Sequence, residues 1–567
     1  MWKQRKHNIE LEKELLKIHP RLIARLLSQR NIPCTESQEF LQSSYKLISH
    51  PFDLEGMEKA LQVFKNAALK KAKIITFADF DADGIVSAAM LQELAGVLQL
   101  EFKAFLPSRL KTGYGLNTKG VEAFNEFLKA TDYKPDLLIV VDCGSNSEEE
   151  IKELKKTIPY IIIIDHHEIE SDKQVLSADA FVNWHLNNHD EMCAAGEVFQ
   201  FVRAVSTITN RVDPIQFLSL AAIGTLADAS PIKGINRTIV KNGLTKYALN
   251  HVIGEGLPAL LEHFKILPDS LSQVDVSFKI APFINSAGRV SDPDIAYRLL
   301  IEPNGLRAKK MAETLDKHSV TRKKIQKGME KEAKELLDEN PDKFKHGILL
   351  YKPDWNVGIV GVVANKLIEA YNVPVIVAGQ FNKEIKGSAR CNGEVDLRSI
   401  LGHCSQIFET YGGHASDAGV VLKESMIDKA NDLFNEACKA NKVKHSGTQE
   451  NLYDAELKPS SVSIETATML LQSLYPYSRD FNPEPVFKLS NVVVQDCNLI
   501  EPKGWRILTF KVIRGEEKCP LVFKMFTNDF GTELEGTTID VYFKFPQSSK
   551  KDGYNKYELN IIEVVRK

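Results

Sequence analysis

The sequence predicts an α/β protein with more than one domain. Short apolar runs at 73–77, 137–141 and 160–164 alternate with helical segments such as 84–98 and 118–130. Short apolar strands between helices are typical of a parallel sheet that is covered on both faces. A chain of 567 residues is also too long for one hydrophobic core, so we expect roughly three or four domains.

The later part of the chain repeats the α/β pattern and then changes to strands. HGILLY at 346–351, a helical segment near 358–371 and VPVIVAG at 373–379 predict a second α/β domain. The polar stretch 443–451 predicts a linker. The strand-like runs beyond it suit a small β-barrel of the oligonucleotide-binding type, although a sandwich also fits. The predicted units are an N-terminal helical region 1–70, an α/β domain 71–302, a long connecting helix 303–341, a second α/β domain 342–445 and a β domain 446–567.

The connecting helix carries an excess of positive charge. From Pro303 to Lys334 there are ten Lys or Arg residues against four Asp or Glu residues, and apolar residues recur at steps of mostly three and four. A helix from Gly305 to about Asn340 would span about 50 Å, which suits a helix that bridges two domains. Its basic face is either a solvated surface or a wall beside a nucleic-acid groove.

Composition argues against several classes of protein. No apolar run approaches the roughly 20 residues that a membrane helix needs, so we expect a cytoplasmic protein without membrane contact. The eight cysteines form no CxxC pair, which indicates neither a disulfide framework nor a zinc site. No Gly-Lys dipeptide occurs, so a P-loop ATPase is not predicted. The formal net charge of −3 leaves a polyanionic partner open.

Acidic and histidine residues follow each strand of the first α/β pattern. Asp79, Asp81 and Asp83 follow the first strand in DFDADG, Asp142 follows the second, and Asp165, His166 and His167 follow the third, whereas Asp228 ends a later apolar run. The carboxyl ends of parallel strands open into one crevice, so these side chains should converge. Oxygen and imidazole donors suit Mn²⁺ or Mg²⁺, and the set is large enough for two ions.

Two other interpretations of DFDADG compete with a two-metal site. The motif matches the start of a calcium-binding EF-hand loop, but Met90 stands where that loop needs a bidentate Glu, and a strand rather than a helix precedes it. A solvated loop would be the better interpretation for one such motif alone. Three strands that end in the same way favour a metal site.

At these motifs the sequence resembles a known family. DFDADG, VDCG, DHH and GTLAD, in this order, resemble the four motifs of the DHH phosphoesterases, and the resemblance narrows to the RecJ exonucleases, which are specific for single-stranded DNA. Further matching segments are PSRLKTGYGLN, APFINSAGRVSD, WNVGIVGVVANKL, GSAR, YGGHASDAG and NPEPVF. The resemblance implies a DHH parallel-sheet domain, a long helix, a DHHA1 α/β domain and a C-terminal OB-type β-barrel, with the catalytic groove between the first two domains.

The resemblance also implies roles for individual residues. The pool of ligands for two Mn²⁺ or Mg²⁺ ions is Asp79, Asp81, Asp83, Asp142, His166 and Asp228, with Asp142 placed to bridge both ions and to take part in catalysis. Which of Asp79, Asp81 and Asp83 bind metal directly stays open. His167 would act as an acid or electrostatic stabiliser beside the scissile phosphate, and Asp165 would be catalytic or would orient a histidine. The implied substrate contacts are Arg109 and Arg289 for phosphates, Ser388 and Arg390 for the 5′-terminal phosphate, and His414.

The leading functional hypothesis is a metal-dependent 5′→3′ exonuclease that degrades single-stranded DNA to 5′-mononucleotides in DNA repair or recombination. We expect a monomer, with a single-strand-binding protein and a helicase as candidate partners. A phosphodiesterase for short oligoribonucleotides or cyclic dinucleotides is an alternative, although residues 451–567 then have no obvious purpose. A non-catalytic single-strand-binding protein on the same scaffold is a second alternative, but each motif carboxylate and histidine is present.

Overall fold

The computed structural model of the protein describes residues 2–108, 112–113, 115–170, 177–290, 293–392, 395–413, 415–441, 451–478, 481–501, 506–527, 530–545 and 558–567. Its N-terminal part consists of one short strand and three helices. These elements are β1 (Trp2–Gln4), α1 (Ile9–Leu15), α2 (Arg21–Gln29) and α3 (Cys34–Gln42).

A five-stranded sheet follows, in which all strands are parallel and their order is β3-β2-β4-β5-β6. Its elements are α4 (Met57–Leu69), β2 (Ile74–Ala78), α5 (Ala82–Leu98), β3 (Phe102–Phe105), α6 (Thr118–Ala130), β4 (Leu137–Val141), α7 (Glu148–Lys155), β5 (Tyr160–Ile164) and β6 (Ala180–Val182). A helical segment completes this part, with α8 (Ala194–Ser206), α9 (Ile215–Ala227), α10 (Gly234–Gly243), α11 (Lys246–Leu249), α12 (Gly256–His263), α13 (Gln273–Asp275), α14 (Ala281–Val290) and α15 (Asp294–Ile301). The predicted α/β class with a parallel sheet is confirmed.

Successive residues of these strands pack into two different cores. In β4, Ile139 belongs to the core beneath α5, α8 and α9, whereas Leu138 and Val140 belong to the core beneath α6 and α7. Since side chains alternate across a strand, a strand that is apolar at every position must be covered on both faces. The fully apolar runs therefore place the sheet in the middle of a three-layer arrangement.

The long helix α16 (Gly305–Glu339) connects this part to a second sheet. The second sheet has the order β10-β11-β9-β8-β7, with β7 and β8 parallel and the other pairs antiparallel. Its elements are β7 (Ile348–Tyr351), α17 (Val360–Tyr371), β8 (Val375–Phe381), β9 (Glu384–Arg390), α18 (Leu397–His403), β10 (Phe408–Gly413), β11 (Asp417–Leu422) and α19 (Ile427–Ala440). Both ends of α16 are packed, because Leu315 is buried in the first core and Met329 in the core of the second sheet.

The C-terminal part is built from strands and one helix. They are β12 (Asn451–Tyr453), β13 (Ala455–Glu456), α20 (Ile464–Leu474), β14 (Phe487–Ile500), β15 (Ile507–Arg514), β16 (Glu517–Lys518), β17 (Val522–Phe526), β18 (Thr538–Lys544) and β19 (Glu558–Arg566). The sheet order is β13-β14-β18-β19-β17-β15-β16, and β14 also pairs with β15, so five strands form a closed ring of pairings. Its oligonucleotide-binding type stays a prediction.

The N-terminal residues divide between two cores. Leu15, Ile23 and Leu26 pack with the C-terminal strands, whereas Met57 and Ala60 pack against the first sheet. The parallel pairing of β1 with β12 ties the first residues to the C-terminal part as well. Within the described residues, no helix is long and apolar enough to cross a membrane.

Candidate metal centre

Adjacent strands of the first sheet end at the same level and deliver acidic residues to one edge. Ala78 in β2 pairs with Val141 in β4, which in turn pairs with Ile164 in β5. The next residue on each strand is an aspartate, and the three are Asp79, Asp142 and Asp165. The parallel register therefore brings three carboxylates together at the carboxyl edge of the sheet, as the sequence pattern predicted.

The DFDADG turn is tight, so that Asp81 and Asp83 reach the same edge of the sheet. Asp81 caps α5, and its Oδ1 accepts hydrogen bonds from the backbone N–H groups of Asp83 (3.0 Å) and Gly84 (3.2 Å). A Cβ at Gly84 would lie only 2.4 Å from the carbonyl oxygen of Asp79. The turn thus requires glycine where the helix begins, directly above the end of β2.

Asp83 is held by the N-terminus of a neighbouring helix. Its two carboxylate oxygens accept hydrogen bonds of 2.9 Å each from the backbone N–H groups of Ala194 and Ala195, in the first turn of α8. A Cβ at Gly224 would lie 2.8 Å from Asp83 Oδ1, so α9 can pass only because this position is glycine. Asp228 follows the end of α9, and its Oδ2 accepts a hydrogen bond from Ser230 Oγ at 2.7 Å.

Asp142 is the centre of the cluster. It is 3% exposed and its backbone φ is +59°, a left-handed conformation that is uncommon outside glycine, asparagine and aspartate. His166 Nε2 lies 3.3 Å from Asp142 Oδ1 and 4.0 Å from Asp83 Oδ2. Backbone strain of this kind collects at functional sites, where the surrounding structure holds the residue in place.

Three groups of side chains could each hold a metal ion, because one donor atom per residue lies within 4.8 Å of the others. The groups are Asp79, Asp81 and Asp142, then Asp83, His166 and Asp228, and finally Asp142, Asp165, His166 and His167. Asp142 and His166 are shared between groups. The groups therefore lie side by side, and their oxygen and imidazole donors are those that Mn²⁺ and Mg²⁺ accept.

The electrostatics of the cluster also favour cations. Burial, and then the charges of Asp228 and Asp81, raise the pKa of Asp83 well above its usual value. Burial, and then the charges of Asp81, Asp83 and Asp79, do the same to the pKa of Asp142. Burial lowers the pKa of His166, which favours the neutral imidazole that binds metals. Divalent ions would compensate the negative charge that raises these pKa values.

Asp165 and His167 form a closely paired unit within this cluster. His167 Nδ1 lies 2.6 Å from Asp165 Oδ1, and the backbone N–H of Ser145 donates to Asp165 Oδ2 at 2.8 Å. Burial alone would lower the pKa of His167, but the charge and hydrogen bond of Asp165 raise it to about 9. For Asp165, burial is outweighed by His167, and the pKa falls below its usual value. Asp165 therefore orients His167 and favours its protonated form.

Comparison with known proteins identifies the family. The model of the DHH family N-terminal domain matches residues 73–225, and the model of the DHHA1 domain matches residues 345–440. A protein from Haemophilus influenzae named single-stranded-DNA-specific exonuclease RecJ is 30% identical over 572 aligned positions, which cover 96% of this chain and 94% of the relative. The chain belongs to the RecJ exonuclease family.

Solved RecJ structures agree with this assignment. The crystal structure of RecJ in complex with Mn²⁺ from Thermus thermophilus has a TM-score of 0.78 at 23% identity, and the match covers 99% of this chain and 78% of that one. A crystal structure of exonuclease RecJ bound to manganese has a TM-score of 0.58 at 27% identity, and the match covers 68% of this chain and 95% of that one. The RecJ arrangement of a DHH sheet, a connecting helix and a DHHA1 sheet is the fold observed here.

Three of the residues predicted to contact a RecJ substrate are described, and they lie on both sides of the junction between the two sheets. Arg289 stands near the end of α14, and its Nη1 donates to the carbonyl oxygen of Gly358 in the second part at 3.2 Å. Ser388 and Arg390 are two residues apart on β9, so their side chains lie on the same face of the strand. A Cβ at Gly361 would lie 3.0 Å from Ser388 Oγ and 3.3 Å from Arg390 Nη2, so α17 passes close to both side chains.

Two of the predicted substrate contacts cannot be placed, and one residue that contacts the candidate site was not predicted from the sequence. Arg109 and His414 lie outside the described residues. Asn285 was not singled out, although its Oδ1 accepts a hydrogen bond of 2.7 Å from the backbone N–H of Ala82 and so holds the start of α5. Its position in the INSAGR segment, four residues before Arg289, was the available signal.

Proposed function

We propose that this protein is a metal-dependent exonuclease that degrades single-stranded DNA from the 5′ end and releases 5′-mononucleotides. The observation that carries the proposal is the convergence of the carboxylates and histidines of three strand ends, together with Asp228, in one cluster of a RecJ-family chain. The relative from Haemophilus influenzae is named a single-stranded-DNA-specific exonuclease.

The ions would be held by two sets of residues from this cluster. We assign Asp79, Asp81 and Asp142 to one ion and Asp83, His166 and Asp228 to the other, with Asp142 close enough to His166 to serve both. When bound, such a pair of ions activates water and neutralises charge on the attacking and leaving oxygens of a phosphodiester. The protein contributes the rigid positions of the ligands, since Asp81 and Asp83 are fixed by backbone hydrogen bonds.

His167 would supply positive charge and a proton beside the scissile phosphate. Its Nδ1 is engaged by Asp165, so Nε2 is the nitrogen that can donate toward a phosphate oxygen or the leaving group. In the metal-free protein burial lowers the pKa of His167, but the charge and hydrogen bond of Asp165 raise it to about 9, so this partner favours the protonated ring. A protonated ring next to the negative charge that develops in the transition state lowers the barrier to cleavage. It does not first have to take up a proton from solvent.

The 5′ polarity would come from the second part of the molecule. Ser388 and Arg390 stand on one face of β9, where a serine hydroxyl and a guanidinium can bind the terminal phosphate together. Arg289 donates from the end of α14 to the carbonyl oxygen of Gly358, three residues before Gly361, which lies close to Ser388 and Arg390. A strand anchored at its 5′ end would then present its first phosphodiester to the ions.

The test is degradation of end-labelled single strands with Mn²⁺. A 5′ label should appear at once as a mononucleotide, whereas 3′-labelled strands should shorten progressively, and blunt duplexes should resist. Cleavage confined to oligomers of a few nucleotides would favour the phosphodiesterase alternative instead. Binding of long strands without any cleavage would support the non-catalytic alternative.

We also propose the other features that the sequence predicts for this protein. They are the domain boundaries, the binding of single strands by the C-terminal domain, the monomeric state, the cytoplasmic location, and a single-strand-binding protein and a helicase as partners. Limited proteolysis tests the domain boundaries directly, and mass measurement in solution tests the monomeric state.

A further inference from the structure

A polar pair interrupts the buried stripe of α16. The buried side chains of this helix follow one another at steps of three and four residues on each side of a gap; they are Ala308, Ala312, Leu315 and Ser319, and then Met329, Ala333 and Leu337. Positions 322 and 326 continue the same spacing across the gap, and Arg322 and Gln326 occupy them. Residues at this spacing lie on one face of a helix, so Arg322 points to the same side as the residues that pack into the two cores.

Arg322 is only partly satisfied in this position. Its side chain is half-buried, and its Nε–H is buried without an acceptor among the described residues. Nη1 donates to Gln326 Oε1 at 3.1 Å, and Gln326 Nε2 donates to Glu330 Oε1 at 2.7 Å. Buried donors are nearly always paired in native proteins, and an unpaired one calls for an explanation.

The location of Arg322 supplies one. Ala312 and Leu315 belong to the first core, Met329 belongs to the core of the second sheet, and Arg322 stands between them, where the helix passes from one part of the molecule to the other. Val290, the residue after Arg289, packs against the same second core as Ile325, one turn beyond Arg322. Arg322 therefore lies on the stretch of α16 that runs beside the end of α14.

We infer that Arg322 is a further substrate-binding residue, whose guanidinium holds a backbone phosphate of the single strand where the strand passes between the two α/β parts. This inference rests on the proposed function. A guanidinium offers parallel N–H donors to phosphate oxygens. Gln326 fixes its plane through Nη1, and Nη2 has no acceptor among the described residues. A shift of the side chain toward the phosphate would bring the covered Nε–H to it as well.

The test compares Arg322→Met with Lys323→Met. Lys323 is the next residue, is exposed and carries the same charge, so the control removes one positive charge from the same turn of the helix. For Arg322→Met we expect the KM for single-stranded DNA to rise about tenfold with kcat nearly unchanged. The slope of log affinity against log salt should fall by about 0.7. The unfolding temperature should stay equal or rise, since methionine leaves no unpaired donor, and Lys323→Met should match the wild type.

A scan with single methylphosphonate linkages locates the contact. Neutralising one particular phosphate should weaken binding to the wild type and to Lys323→Met but not to Arg322→Met. Unchanged KM and salt slope in Arg322→Met, or a lowered unfolding temperature with normal KM, would overturn the inference and leave Arg322 a structural residue. Failure of the wild type to bind or degrade single-stranded DNA would overturn both proposals, and it would be evident before any variant is compared.

Discussion

Replacing Asp142 by asparagine should stabilise the metal-free protein and abolish most of the stabilisation that Mn²⁺ provides. Asparagine has nearly the shape of aspartate and tolerates the left-handed backbone, with φ of +59°, that Asp142 adopts. Its side-chain oxygen can still face His166 Nε2, which lies 3.3 Å from Asp142 Oδ1. The substitution therefore removes one buried negative charge and little else.

The magnitude follows from the spacing of the carboxylates. Donor atoms of Asp79, Asp81 and Asp142 lie within 4.8 Å of one another, and two full charges at that separation repel by about 3.5 kcal/mol at an effective dielectric constant of about 20. Burial and these neighbours raise the pKa of Asp142, so protonation already relieves part of the repulsion. We expect a net gain of about 1–2 kcal/mol in the unfolding free energy of the metal-free variant near neutral pH. The gain should grow as the pH rises, because the ionised fraction of Asp142 increases.

The assay is chemical denaturation with a chelator and again with Mn²⁺. Mn²⁺ at about 100 times its Kd stabilises a protein by about 2.7 kcal/mol, and the variant should lose most of this increment together with exonuclease activity. Asp136→Asn is a matched control, since Asp136 precedes the opposite end of β4 and accepts a hydrogen bond from the Lys73 N–H at 2.9 Å. Full Mn²⁺ stabilisation and full cleavage by Asp142→Asn would refute the central place given to this carboxylate.

Three further predictions concern buried charges. Asp165→Asn should return the pKa of His167 from about 9 toward 6.5, as measured by NMR titration of the metal-free protein. In the wild type, the contribution of this pair to the unfolding free energy is complete below pH 6.5 and is lost as the pH rises through 9. Burial raises the pKa of Glu93 from 4.5 to about 8, so the unfolding free energy of the wild type should fall as the pH rises from 4.5 to 8. Glu93→Gln should therefore be more stable than the wild type in urea denaturation at pH 9. A less stable variant would contradict this prediction. Arg237→Met should lose about 3–5 kcal/mol of unfolding free energy, because four backbone carbonyls each lose one hydrogen bond and only those of Phe40 and Pro476 keep a second side-chain donor. Lys233→Met, at the exposed start of the same helix, should change the unfolding free energy little.

The fold class could be predicted because the relevant signal is local. A strand such as LLIVV is apolar at every position only if both faces are covered, and the structure shows Leu138 and Ile139 in different cores. The same logic placed Asp142 and Asp165 at one edge, since parallel strands end together. The roles assigned to these residues as ligands stay predictions.

Partner choice between distant elements could not be predicted in the same way. The apolar face of α2 is visible as periodicity, but nothing in that pattern says that Ile23 packs with the C-terminal strands rather than with the first sheet. Arg237 shows the same limit, because it is fully enclosed by the backbone carbonyls of Phe40, Ser473 and Pro476, which are remote in sequence. A charged residue in a helix is predicted to be exposed, and only tertiary structure reveals the acceptors that bury it.

The α14 helix links the metal cluster to the second part of the molecule. Near its middle, Asn285 accepts a hydrogen bond from the N–H of Ala82 in the first turn of α5, beside Asp81 and Asp83. At its end, Arg289 donates to the carbonyl oxygen of Gly358, and a Cβ at Gly358 would lie 2.3 Å from the carbonyl oxygen of Arg289. One helix therefore contacts both the turn that carries the carboxylates and the loop that precedes α17. We expect a shift of the second part to be transmitted to the start of α5, so that occupancy of the proposed 5′-phosphate site near Ser388 is coupled to the positions of the proposed metal ligands.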